Sequence, residues 1–148
     1  MAGRDLLAAV LDVLAQDADV ADQVTGLVDG LPVVRVYGEE LPGTEVPDQP
    51  RRAVVVKRIP GPDPIGGYVE LQREGLEVWC YAETPADAAA LAAVVQPVLK
   101  QARRQLRAGT LLHSVVQIGT PRFLRDPDTG WPAMVTPWTA LAAEVQAT

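Results

Sequence analysis

The sequence predicts an α+β domain: a mainly antiparallel sheet with a long helix packed on one face and an N-terminal helix beside it. Three observations carry this. One Ala/Leu-rich stretch has a complete helix start signal, several period-two segments are separated by Pro/Gly loops instead of helices, and a turn sequence near the end joins two further extended segments. With 148 residues, 48% apolar and 22% charged, the chain is long enough for one sizeable core, so residues 1–148 are read as a single domain.

The elements follow in order. Leu6, Leu7, Val10, Leu11, Val13 and Leu14 recur at helical spacing behind Asp5, which predicts an amphipathic helix over 5–16. A shorter helical turn is expected from Asp19, with Val20, Val24 and Leu27 inward, stopped by Gly30 and Pro32. Val33–Tyr37 reads as a short strand, 38–51 as a polar loop with three prolines, and the valine-rich 52–59 as a second strand. Residues 60–67 form another loop. Tyr68–Glu74 and Leu76–Ala82 are extended, with Gly75 as a bulge or bend between them. Alternation there puts Leu76, Val78, Cys80 and Ala82 on one face and Glu77, Trp79 and Tyr81 on the other.

The long helix begins at Pro85, with Thr84 as N-cap and Asp87 in the first turn, near the positive end of the helix dipole. Its stripe of Ala88, Leu91, Ala92, Val95, Leu99, Ala102 and Leu106 predicts a helix reaching Leu106 and stopped by Gly109, with a kink or a restart at Pro97. Leu111–Ile118 alternates as a strand. Arg122–Arg125 and Met134–Val145 flank the turn sequence Asp126-Pro127-Asp128-Thr129-Gly130 and predict a hairpin. Pro132 and Pro137 are expected to confine at least the first half of its last strand to a sheet edge or an irregular path.

Composition limits function. A net charge of −6 and a pI near 4.7 do not give the basic footprint that specific nucleic-acid binding needs. No apolar run is long enough to span a bilayer and no signal-peptide pattern opens the chain, so a soluble protein made in the cytoplasm, without membrane contact, is expected. The charge is uneven: residues 1–50 hold ten acids and two bases, a balance of −8, and residues 51–148 hold eleven bases and nine acids, a balance of +2. Solvated faces of two signs would account for this, and so would self-association, acidic part against basic part.

Catalytic patterns are sparse. His113 and Ser114 are strand neighbours, expected to point to opposite faces and so unable to share a proton. Asp126–Gly130 lacks the glycine and acid positions of a calcium loop, and Gly61–Gly67 lacks the Lys-Ser/Thr of a phosphate cradle. Cys80 is a lone thiol in an apolar alternation, and His113 has no second His or Cys for a zinc site. Trp131 and Trp138 are candidates for core or for interface. No enzyme activity, metal or cofactor is expected.

The run Leu76-Glu77-Val78-Trp79-Cys80-Tyr81-Ala82-Glu83-Thr84-Pro85, leading into Ala88–Leu99, resembles the tail terminator (tail completion) proteins of long-tailed bacteriophages. The likeness extends through the terminal hairpin, over about residues 4–145, and departs from the family at Pro97 and over Pro60–Gly67. It implies a structural virion protein at the neck or tail end, assembled in the host cytoplasm. Such a protein forms a ring, usually of six copies, that caps the tail tube and joins it to the head. The implied partners are other copies of the chain, the tail tube protein and the head–tail connector, with DNA passing through the lumen. A head-side connector or stopper ring, and a small ligand-binding or enzymatic α+β domain, are the alternatives. Candidates for the contact between copies are Asp12 on one side and Lys100, Arg103, Arg104 and Arg107 on the other. Candidates for contacts of the loops with partners are Glu39, Glu40, Glu45, Asp48, Asp63 and Ile65.

Overall fold

The computed structural model describes residues 6–28, 30–42, 50–59 and 71–143. The elements run α1 (Leu6–Gln16), α2 (Ala18–Val24), β1 (Thr25–Val28), β2 (Leu31–Val34), β3 (Val36–Gly38), β4 (Ala53–Ile59), β5 (Leu71–Tyr81), α3 (Pro85–Lys100), β6 (Gln105–Arg107), β7 (Thr110–Gln117), β8 (Arg122–Arg125) and β9 (Pro132–Ala143). The α+β class holds. The main sheet has the order β3-β4-β5-β9-β7-β6, with β8 pairing β9, and every pair in it is antiparallel except β3 with β4.

Alternation splits the sheet into two cores. Val54, Val56, Leu76, Val78, Cys80, Leu112, Val115, Trp138, Ala140 and Ala142 face the three helices, which contribute Leu6, Val10, Leu14, Val20, Leu91, Val95 and Leu99. The opposite face carries a smaller aromatic core of Ala53, Val55, Trp79, Tyr81, Trp131, Ala133 and Val135, covered by Leu41. Trp131 and Trp138 are therefore both core residues, 2% and 1% exposed. Tyr81 meets Trp131 edge-on and stacks on Trp79, and its hydroxyl donates to Asp126 Oδ2 at 2.6 Å. Asp126 also accepts from the amides of Asp128 and Thr129, so the predicted turn is organised around a buried carboxylate.

Several expectations change. The helix starting at Pro85 ends at Lys100, not Leu106. Ala102 still reaches the core, but Arg104 takes φ +53, and 105–107 alternate as a strand that leaves Leu106 64% exposed. Ala108 and Gly109, at φ +50 and +78, then form the two-residue turn of a β6–β7 hairpin, so Gly109 turns a hairpin instead of stopping a helix. Pro97 lies on the exposed side of α3, one turn from its end, and the helix continues through it, with Gln101 N–H donating to the Pro97 carbonyl.

The segment read as one strand over 33–37 is two. Arg35, buried, separates β2 from β3: its amide donates to Val24 and its carbonyl accepts from Val54, so the chain changes sheets at this residue. The turn expected from Asp19 is α2, capped instead by the Asp17 carboxylate, and Leu27 is not inward but 68% exposed on β1. Gly75 makes neither bulge nor bend; it pairs in register with Ile59 and Thr139. Residues 43–49 and 60–70, which hold most of both predicted loops and the start of the first extended segment, lie outside the described residues, as do Asp5 and 144–145.

The largest correction concerns the last strand. β9 is not an edge but the centre of the sheet, paired with β5 along eleven residues and with β8 and then β7 on its other side. Pro137 is tolerated there because it sits where β9 exchanges one neighbour for the other. Its carbonyl points to that side and accepts from Ile118, so its missing N–H falls in the gap between β8 and β7 and no ladder bond is lost. Gly119 packs against the Pro137 ring, where a Cβ would come within 2.8 Å of Cγ.

Leu91→Asp buries an unpaired charge under α3 and is expected to cost roughly 3–5 kcal/mol in chemical denaturation; unchanged stability would mean that another face of the helix is buried. Ala108→Gly removes the left-handed strain at the β6–β7 turn and should add up to about 1 kcal/mol. Burial by itself raises the Asp126 carboxyl, but hydrogen bonds from Tyr81, Asp128 and Thr129, together with the Lys57 charge, outweigh it and hold the group below the ordinary carboxylate range. Its contribution is therefore present above the unfolded carboxylate pKa of about 4 and lost as pH falls through the lower folded value. Melting curves should show the wild-type advantage over Asp126→Asn shrinking below pH 4; a gap that is constant with pH would refute the assignment.

Candidate functional site

Two parts of the surface combine exposed apolar side chains with charge. On one, α2 carries Asp19 and Asp22 and runs directly into the β1–β2 hairpin. The register Thr25↔Val34 through Val28↔Leu31 places Leu27 and Leu31 on opposite faces of this hairpin, yet both are 68% exposed. The outer half of the hairpin thus stands clear of the domain on both faces, while Val34 at its root packs against the main core. The hairpin forms a two-stranded sheet of its own, held at its root by the Arg35 backbone and by the Arg35 guanidinium packed over Gly26.

The second is the outer edge of β7, and the acids of α2 are not remote from it: Asp19 and Asp22 share a depression with Pro97 and Gln101 of α3. β6 covers β7 only from Thr110 to Leu112, and Arg104 N–H caps the His113 carbonyl. Beyond that point the outer edge of β7 has no strand neighbour among the described residues, and Val116 and Ile118 there are 54% and 58% exposed. Lys100 and Arg103, at the end of α3, line a shallow depression with Val115, Val116 and Gln117.

The predicted residues distribute as follows. Lys100 and Arg103 belong to the β7 flank, whereas Arg104 serves the backbone turn. Asp12 and Arg107 come together within one chain, Oδ2 to Nη1 3.5 Å, tying α1 to β6. Glu39 and Glu40 are exposed in the turn after β3, with Glu39 3.7 Å from Arg58, which also holds Glu74 at 2.9 Å. Glu45, Asp48, Asp63 and Ile65 lie outside the described residues. Reading the sequence missed the β1–β2 hairpin, although the signal existed: the dipeptide Asp29-Gly30 between apolar runs is a strong short-range hairpin mark, and Gly30 does take φ +80.

Groups capable of chemistry are poorly placed for it. Burial pushes the Cys80 thiol up to about 12, so it stays protonated at neutral pH. A register shift between Leu112 and Ser114 turns the His113 and Ser114 side chains toward each other, contrary to the expected alternation, and Nδ1 stands 3.4 Å from Oγ. That contact is long and exposed. No cluster of three or more potential metal ligands occurs among the described residues, and no described helix is long and apolar enough to cross a membrane. A cavity of about 190 Å³ lies between α3 and the sheet, lined by Ala89, Ala92, Ala93, Met134 and Trp138, whose indole N–H has no partner.

A sheet with helices on one face, a smaller aromatic core on the other and two exposed edges of unlike composition defines an α+β domain. Among solved structures, the chain is similar to one in the virion of a native gene transfer agent (GTA) particle. The TM-score is 0.64 at 18% identity, and the match covers 94% of this chain and 95% of that one. No protein-family model and no curated protein matches the sequence.

Proposed function

We propose that this chain is a non-enzymatic structural subunit of a phage or phage-like particle and, within that class, a tail terminator. In this reading the subunit closes a ring, of six copies as the resemblance implies, on the finished tail tube. The ring offers the head connector its docking surface and passes DNA through its lumen. The observation that carries the reading is the fold match over nearly the whole of both chains to a component of a virion. The two unlike flanks support it, because a ring of more than two copies needs heterologous contacts, one surface meeting a different one. The net charge of −6 suits a channel wall to which phosphates must not adhere. The protonated Cys80 thiol and the loosely placed His113–Ser114 pair support a role without catalysis.

Deletion of the gene from the particle that encodes it tests the reading by electron microscopy. Headless tails, or tails of uncontrolled length, are expected. Normal infectious particles overturn the whole proposal, and complete tails beside heads that leak DNA assign the chain to a head-side stopper instead.

A further inference from the structure

We propose that successive copies join by seating the β1–β2 hairpin of one on the open β7 edge of the next, with the acidic α2 of the first against Lys100 and Arg103 of the second. The inference rests on the ring reading above and specifies its contact.

Four observations converge on it. An isolated two-stranded hairpin is marginal in water, and this one, packed on the core through Val34 at its root, exposes leucine on both faces further out, with no cover for them among the described residues. The β7 edge is the reverse case: a run of main-chain groups without a strand neighbour among the described residues, with Val116 and Ile118 beside it, able to accept an added strand. The charges match, since Asp19 and Asp22 sit on the helix leading into the hairpin while Lys100 and Arg103 stand over the edge. The placement matches as well. The hairpin continues through Arg35 into β3, at one end of the sheet order, and β7 with β6 forms the other end, so each copy can give to one neighbour and receive from another.

The contact predicts a directional pattern. Leu27→Asp/Leu31→Asp spoils the donor flank and Val116→Asp/Ile118→Asp the acceptor flank, and all four residues are exposed in the monomer, so both variants should fold. By light scattering, the wild-type chain should form a closed oligomer and each double variant a monomer. An equimolar mixture of the two variants should give a heterodimer that grows no further, because one intact donor and one intact acceptor remain. Lys100→Glu/Arg103→Glu should weaken assembly at low salt, and Asp19→Lys/Asp22→Lys added in the same chain should restore it.

Variants that still close the ring, a mixture that stays monomeric, or a wild-type chain that remains monomeric would each overturn this contact. None of these touches the functional reading, which the deletion phenotype decides separately. Should the hairpin variant lose its cooperative melt, the charge-swap pair carries the test, and failure of the swap to restore assembly is then the overturning result.

Discussion

The pairing of β5 with β9 is the constraint on which the rest of the structure depends. Eleven successive residue pairs, from Leu71↔Ala143 to Tyr81↔Ala133, lock two long strands into one register. Because side chains alternate, that register alone decides which residues enter which core: Leu76, Val78 and Cys80 go with Trp138, Ala140 and Ala142 toward the helices, and Trp79 and Tyr81 go with Ala133 and Val135 to the aromatic side. A slip of one residue would exchange the two sets and place Glu77 beneath α3. The remaining strands extend this pair outward, β4 and β3 on one side, β8, β7 and β6 on the other.

The two cores are unlike because their covers are unlike. Three helices offer broad apolar stripes, so the helical face is filled with aliphatic side chains and the indole of Trp138. Among the described residues the other face is closed by Leu41, the turn near Trp131 and the half-buried Tyr37 and Leu124, so large rings fill the space, and Tyr81 places its hydroxyl on Asp126. At the rim of this face Lys57 Nζ lies 3.9 Å above the Trp79 ring and Glu77 holds Arg122 at 3.0 Å, which gives the aromatic core a polar border.

Much of this was legible in the sequence, and the misses have physical reasons. The start of α3 was readable because capping is local chemistry: Thr84 does accept from the Asp87 amide. The faces of β5 were readable because alternation is local too. The end of α3 was not, since Leu106 continues the helical stripe in sequence while the backbone leaves the helix and turns at Ala108-Gly109. The position of β9 was misread because the rule against proline in central strands assumes one unbroken neighbour, and at Pro137 the neighbour changes. Charge singled out Asp12, Lys100, Arg103 and Arg107 alike, but it could not show that Asp12 and Arg107 are partners inside one chain. Leu27 was assigned to the interior, where apolar residues are ordinarily placed, and is instead exposed on β1.

The order of strands along the chain also bears on how the protein is made. β4 and β5 are adjacent in the sheet, and α3 follows at once, but the central partner β9 comes after every other described strand in the chain. Until it arrives, the inner edge of β5 is unpaired, and the apolar faces of β5 and α3 lack most of their cover. Closing a pair of strands more than fifty residues apart is slow compared with forming the neighbouring hairpin and helix. A chain in which β9 has not yet paired carries a long open strand edge, the kind of surface that chaperones or dilution protect.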